Sequence, residues 1–338
     1  MRVSLQMVVF LILCGCSKAQ DMIKLNVMPS VSVSLESGAT GYIYLDGKFT
    51  GKVAPGKIAV GKGLHTISVG DASASVYYRK EAVVAKDTVI KMTTADIPAP
   101  RTWKALWIGV YDAVNPNGGS THFSTEDLNA AYDFFKWSIA EHFEKYSYGV
   151  TRWDVERLDI KDPVSLIQSG SNQIIPFENI RAKISAIVPG QYDCVFVFFR
   201  QQEGSISHIG NYFGLGWCDP LREVEKTGYV IVKFDVGRSI QDKIGYYKST
   251  DPGIFLHEWL HTVGESYFSS LGYNLPIPAG DGLRVHAAEI YGYTFPWLGW
   301  YKDFMAGKVV GKNGVGYFGI GPEALLNNSV RKTAVGGR

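Results

Sequence analysis

The sequence has no excess of charge of either sign. It holds 34 Lys and Arg against 32 Asp and Glu, a formal net charge of +2 over 338 residues. Such a chain offers no electrostatic case for binding nucleic acid. It also lacks a Gly-rich phosphate loop and a dinucleotide fingerprint after a strand, which removes the usual grounds for nucleotide chemistry. Beyond the first twenty residues, no stretch reaches the roughly 18–20 apolar residues of a membrane-spanning helix. Cysteine is scarce, with four in the whole chain. Apolar substance is plentiful: hydrophobic residues make up 46% and charged residues 20%, a balance that excludes wholesale disorder. The length fits two domains, or one large domain with an appendage.

The N-terminus reads as an address. Arg2 precedes the apolar run Val8-Val9-Phe10-Leu11-Ile12-Leu13, which is too short to span a bilayer as a mature helix. The next residues, Leu13-Cys14-Gly15-Cys16, resemble a bacterial lipobox, in which a small residue precedes an obligatory Cys. The resemblance implies that residues 1–15 are a removed signal peptide and that Cys16 carries lipid. The mature protein would then be extracytoplasmic, held to a membrane of the bacterial envelope, outer membrane or cell surface, by that anchor. Cys194 and Cys218 remain, as one disulfide or as two separate thiols.

Residues 30–95 alternate like short strands between turns. Thr40-Gly41-Tyr42-Ile43-Tyr44-Leu45 runs into Asp46-Gly47, a hairpin signal, and Leu64 to Val69 is a second alternating strand. The run Tyr44-Leu45-Asp46-Gly47-Lys48, with its later Gly-Lys and Pro-Gly-Lys repeats, resembles a PEGA-type module. That resemblance implies a small all-β, sandwich-like domain with a spacer or surface-binding role. Ala95 to Arg101 holds two prolines and reads as a linker between separately folding parts.

From 101 to about 335 the pattern is mixed. Trp103 to Tyr111 is a buried strand, and Ser124 with Asp127 looks like a capping box opening a helix through Phe143. Thr151 to Ile160 is a strand and Asn179 to Val188 a helix. Tyr192 to Phe199 is a central strand, Gly210 to Trp217 an edge strand, and Tyr229 to Phe234 a further strand. This β-α-β-α-β-β order predicts helices packed on a twisted sheet in an α+β fold.

Ile254-Phe255-Leu256-His257-Glu258-Trp259-Leu260-His261 contains His-Glu-x-x-His. On a helix, residues four apart share a face, so His257 and His261 can aim both imidazoles at one Zn²⁺. Glu258, beside the first ligand, is placed to act as general base on a water. The apolar neighbours give the helix a buried setting, where two histidines and a glutamate without a common partner would be costly.

With Thr262-Val263-Gly264 following, the motif resembles zincin metallopeptidases, especially the metzincin-like and immune-inhibitor-A-like groups. Phe143 to Gly149 is similar to the helix exit and Ser-x-Gly turn of those enzymes. The resemblance implies a zincin-like mixed sheet, an active-site helix and a cleft bounded by an edge strand. Metzincins place their third ligand three residues beyond the glycine, where this chain has Tyr267, a poor zinc ligand. The segment Asp281 to Tyr293 offers His286, for a three-His site, or Glu289, for two His and one Glu. Tyr267, Tyr291 and Tyr293 are candidates for donating to an oxyanion. The strand at 211–217 is a candidate for pairing with an extended peptide. His208 reads as a loop residue, Phe304-Met305 as core, and Trp297 to Tyr301 as packing beneath the site.

The expected activity is zinc-dependent hydrolysis of a peptide bond in a peptide or protein substrate, with Glu258 as base. The competing expectation is a non-catalytic lipoprotein that binds glycan or protein and keeps a structural or degenerate zinc site.

Overall fold

The computed structural model describes residues 28–183, 190–210, 212–218, 227–234 and 239–331. The signal segment, Cys16 and the end of the expected second helix lie outside these residues.

Alternation builds the N-terminal part as two sheets. Strands run in the order Gly56–Ala59, Ser30–Leu35, Thr88–Met92 in one sheet, and Lys48–Ala54, Gly41–Leu45, Gly63–Asp71, Val76–Val84 in the other. Val31, Val33, Ile43, Ile58, Ile67, Val69, Val84 and Ile90 point inward and form one cluster, as a period of two requires. The predicted Asp-Gly turn is present, with positive φ at both Asp46 (51°) and Gly47 (78°), the requirement of a type I′ hairpin.

The main sheet has five strands in the order Thr151–Ile160, Arg101–Val110, Cys194–Arg200, Gly228–Phe234, Gly214–Cys218. The first four are parallel and the last is antiparallel at the edge. The three inner strands read as near-continuous apolar runs because both of their faces are covered. Ala105, Trp107, Phe196, Phe198, Val230 and Val232 face one way and pack with Phe134, Phe135, Phe255 and Trp259 of the helices. Leu106, Ile108, Val195, Val197 and Ile231 face the other way, onto Phe177 and Ile180. The edge strand is where the sequence pattern places it. The register sets Cys194 and Cys218 on either side of Gly228. Cys194 is a buried thiol.

Helix Thr125–Ser138 starts on Ser124, whose side chain accepts from Asp127 N at 3.1 Å. It runs on through a π-helical turn, Ile139–Glu144. The expected second helix is short, Phe177–Arg181. Helix Ile240–Thr250 leads to the histidine helix, which is α-helical over Ile254–Trp259, π-helical over Leu260–Tyr267 and α-helical again over Phe268–Ser270.

The segment after residue 95 is more than a bare linker between two bodies. The outer face of the four-stranded sheet is covered by the main body. Tyr44 and Tyr77 pack on Tyr148 within the same cluster as Trp103. Tyr44 OH donates to the Ala306 carbonyl at 2.9 Å. Glu323 accepts from Arg79, Tyr77 and Ser68. Gly70 faces Tyr148 so closely that a Cβ would stand 2.6 Å from its ring.

Candidate metal centre

His257 and His261 lie on one face of their helix, with Nε2 atoms 2.9 Å apart. His286 arrives from a separate element, the 3₁₀ segment Val285–Tyr291. Its Nε2 stands 3.1 Å from that of His261, and the three side chains form a group whose ligand atoms all lie within 4.8 Å of one another.

Each remaining ring nitrogen is tied to an oxygen. His257 Nδ1 meets Tyr301 OH at 2.9 Å, His261 Nδ1 meets Glu265 Oε1 at 2.9 Å, and His286 Nδ1 meets Asp281 Oδ2 at 2.5 Å. A carboxylate only accepts, so His261 and His286 must each carry a proton on Nδ1. A neutral imidazole with its proton on Nδ1 turns a bare Nε2 lone pair inward, and here the two Nε2 atoms face each other across 3.1 Å. A cation between them relieves that opposition. Tetrahedral zinc with Zn–N of about 2.0–2.1 Å separates its nitrogens by about 3.4 Å, a few tenths of an ångström more than the separation here. Three histidines, each with its second nitrogen oriented by an oxygen, form a donor set that fits zinc. Burial holds His257 well below the usual imidazole range, which keeps it neutral and able to ligate.

Glu265 links the two elements. Besides His261, its carboxylate accepts from the backbone N–H groups of Arg284 at 2.8 Å and Val285 at 2.9 Å. It thus caps the segment that presents His286, and the π-helical stretch that carries it fits the association of such turns with functional sites.

Glu258 points from the same helix toward the edge strand. Its Oε1 accepts from Gly214 N at 3.1 Å, and its Oε2 is buried with no hydrogen-bond partner among the described residues. Burial pushes its carboxyl up to about 8, against the pull of the Gly214 N–H and with a further push from Asp251. The strand lies this close because it carries glycine: a Cβ on Gly214 would sit 2.5 Å from Glu258 Cδ, and one on Gly216 would sit 2.2 Å from Thr262 Cγ2.

These groups open into a cleft of about 490 Å³ lined by Tyr212, Phe213, Leu215, Asp251, Ile254, Leu283, Trp297 and Tyr301 beside the three histidines and Glu258. Of the two candidates for joining His257 and His261, the structure brings His286. Glu289 is exposed and is not part of the group. Tyr267 is fully buried, its hydroxyl donating to the Ser329 carbonyl at 2.8 Å. Tyr291 OH accepts from Ile277 N at 2.9 Å, and Tyr293 OH donates to Asp303 at 2.8 Å. None of these three tyrosines lines the cleft; the phenols there belong to Tyr212 and Tyr301. His208 is buried against Thr121, Nε2 to Oγ1 2.8 Å, instead of standing in an exposed loop. Phe304 and Met305 are core, and Tyr301 reaches the site itself.

Sequence reasoning missed Glu265, Asp281 and Tyr301. A signal existed for Glu265 alone, which follows His261 by the same four residues that separate His261 from His257. No protein-family model, curated protein or solved structure matches the chain.

Proposed function

We propose that this protein is a zinc-dependent peptidase, with His257, His261 and His286 as metal ligands and Glu258 as general base. The observation that carries the reading is the joint geometry of three converging Nε2 atoms and one buried, half-unpartnered carboxylate at the wall of a single cleft. A purely structural metal site has no use for Glu258. An open site with three protein ligands does, and supplies Lewis acidity that polarises a carbonyl and acidifies a water. The chain's own part follows from its contacts. Glu265 and Asp281 set the tautomers of His261 and His286, and Tyr301 orients the His257 ring. Glu258, in its carboxylate form, would accept a proton from water and return it to the leaving amine. The Gly214 N–H fixes one carboxylate oxygen, and the other, Oε2, has no partner among the described residues.

The mixed sheet, with its antiparallel edge strand beside the histidine helix, supports a zincin-like arrangement. The lipobox-like Cys16 supports an extracytoplasmic, lipid-anchored protein. Among the described residues no helix is long and apolar enough to cross a membrane. The test is metal content and peptide hydrolysis measured on the same variants. His257→Ala and His261→Ala should lose zinc and activity together, and Glu258→Gln should keep zinc and lose activity. Full zinc in His257→Ala would defeat the reading.

A further inference from the structure

We infer that Asp251 makes the cleft selective for peptides that place a lysine or arginine side chain beside the bond to be cut. The inference rests on the peptidase reading and names the substrate class of that site. Two carboxylates line the cleft, Asp251 and Glu258, and no Lys or Arg does among the described residues. Lys233 lies nearby, but its ammonium sits 4.5 Å over the Tyr212 ring and is bonded to the Gly210 carbonyl. Glu258 is 3% exposed with one oxygen unpartnered, and Asp251 Oδ1 is likewise buried with no hydrogen-bond partner among the described residues. Glu258 has the metal site beside it, whereas Asp251 has no counter-charge among the cleft residues, and a carboxylate withdrawn from water without one is costly. A guest that brings a cation offsets that cost.

Glu258 faces the reacting groups, so Asp251 is left for recognition. It ends helix Ile240–Thr250, and its carbonyl accepts from Ile254 N at 3.3 Å, at the mouth of the histidine helix. Glu258 lies seven residues on, near enough for the Asp251 charge to add to the rise of its carboxyl. The wall between them is Ile254, Trp297 and Tyr301, apolar and aromatic surface suited to the aliphatic stem of Lys or Arg. Burial pushes the Asp251 carboxyl up to about 6, as expected of an acid still waiting for a counter-charge.

The experiment reads binding apart from cleavage. Zinc-loaded Glu258→Gln protein, with and without Asp251→Asn, is titrated calorimetrically with N-terminally blocked octapeptides. Each carries a single lysine, scanned through the positions, and is matched by a norleucine peptide. The expected result is one position where lysine binds about tenfold or more tighter than norleucine, with that ratio falling to near one in Asp251→Asn. Equal binding at every position, or a lysine preference that survives Asp251→Asn, overturns the inference. If the lysine preference holds while wild-type zinc protein cleaves none of the peptides, the role of Asp251 stands and the peptidase reading falls. Cleavage with no preference does the reverse.

Discussion

Two carboxylates outside the motif decide how the imidazoles face one another. Glu265 and Asp281 each hold an Nδ1 proton, which leaves the opposite nitrogens free to ligate. Zinc binding should therefore grade by position. His286→Ala should abolish stoichiometric zinc. Glu265→Gln and Asp281→Asn should weaken it by about 10–100-fold, and Glu289→Ala should leave it unchanged. Equilibrium dialysis of the four variants checks this, and normal zinc in His286→Ala would remove the third ligand. A second residue-scale expectation concerns pH. His142 is buried between Trp137 and Tyr146, and burial lowers it to about 4. The unfolded chain, with an ordinary imidazole near 6.5, takes up the proton first as pH falls. The stability that His142 contributes is thus fully present above about pH 6.5, falls below it and levels off near pH 4, a change of roughly 3 kcal/mol. Denaturant melts of wild type and His142→Leu should converge or cross over that window. A difference constant from pH 8 to pH 4 would contradict it.

At the scale of elements, the site depends on how closely the edge strand Gly214–Cys218 lies against the histidine helix. Gly214→Ala would force the Glu258 carboxylate aside, since the added Cβ meets it at 2.5 Å. The atoms nearest that added Cβ all belong to Glu258 and none to the three histidines. The expected outcome is zinc retained and kcat/KM reduced by about a hundredfold, the usual consequence of a base displaced by an ångström; unchanged kcat/KM would contradict the role given to the Gly214 contact. Elements with strong periodicity were legible beforehand. The strand Thr151–Ile160 and the cap at Ser124 follow from alternation and from the short Ser side chain. The His257–His261 pair was legible for the same local reason, a fixed helical spacing. Asp281 and Tyr301 were not, because each meets a ring nitrogen from another element whose approach is set by tertiary packing; Glu265 shares the local four-residue spacing with His261. The three tyrosines proposed as oxyanion donors were misplaced for a related reason: a phenol near a motif in sequence packs wherever its ring finds core, as Tyr267 does.

At the scale of the molecule, the N-terminal sheets and the main body share one interface. Glu323 is its polar centre, 12% exposed and bonded to Arg79, Tyr77 and Ser68. Glu323→Ala should cost about 1–3 kcal/mol, because it takes that acceptor from the buried Tyr77 and Ser68 hydroxyls and leaves Arg79 with Glu81. A urea midpoint unchanged from wild type would show that the interface contributes nothing. The prolines near 97–100 suggested independence, yet a linker composition says nothing of the surface it leads onto. A chain beginning at Arg101 would uncover Tyr148 and Glu323 together. The central claim concerns zinc and chemistry at one cleft, and titrating metal-free wild-type protein with zinc while following cleavage of an unfolded protein substrate tests it most directly. The account predicts hydrolysis absent at zero zinc, rising in proportion to bound metal and reaching a plateau at about one equivalent. One equivalent of zinc bound with no hydrolysis, or hydrolysis undiminished without metal, would contradict it.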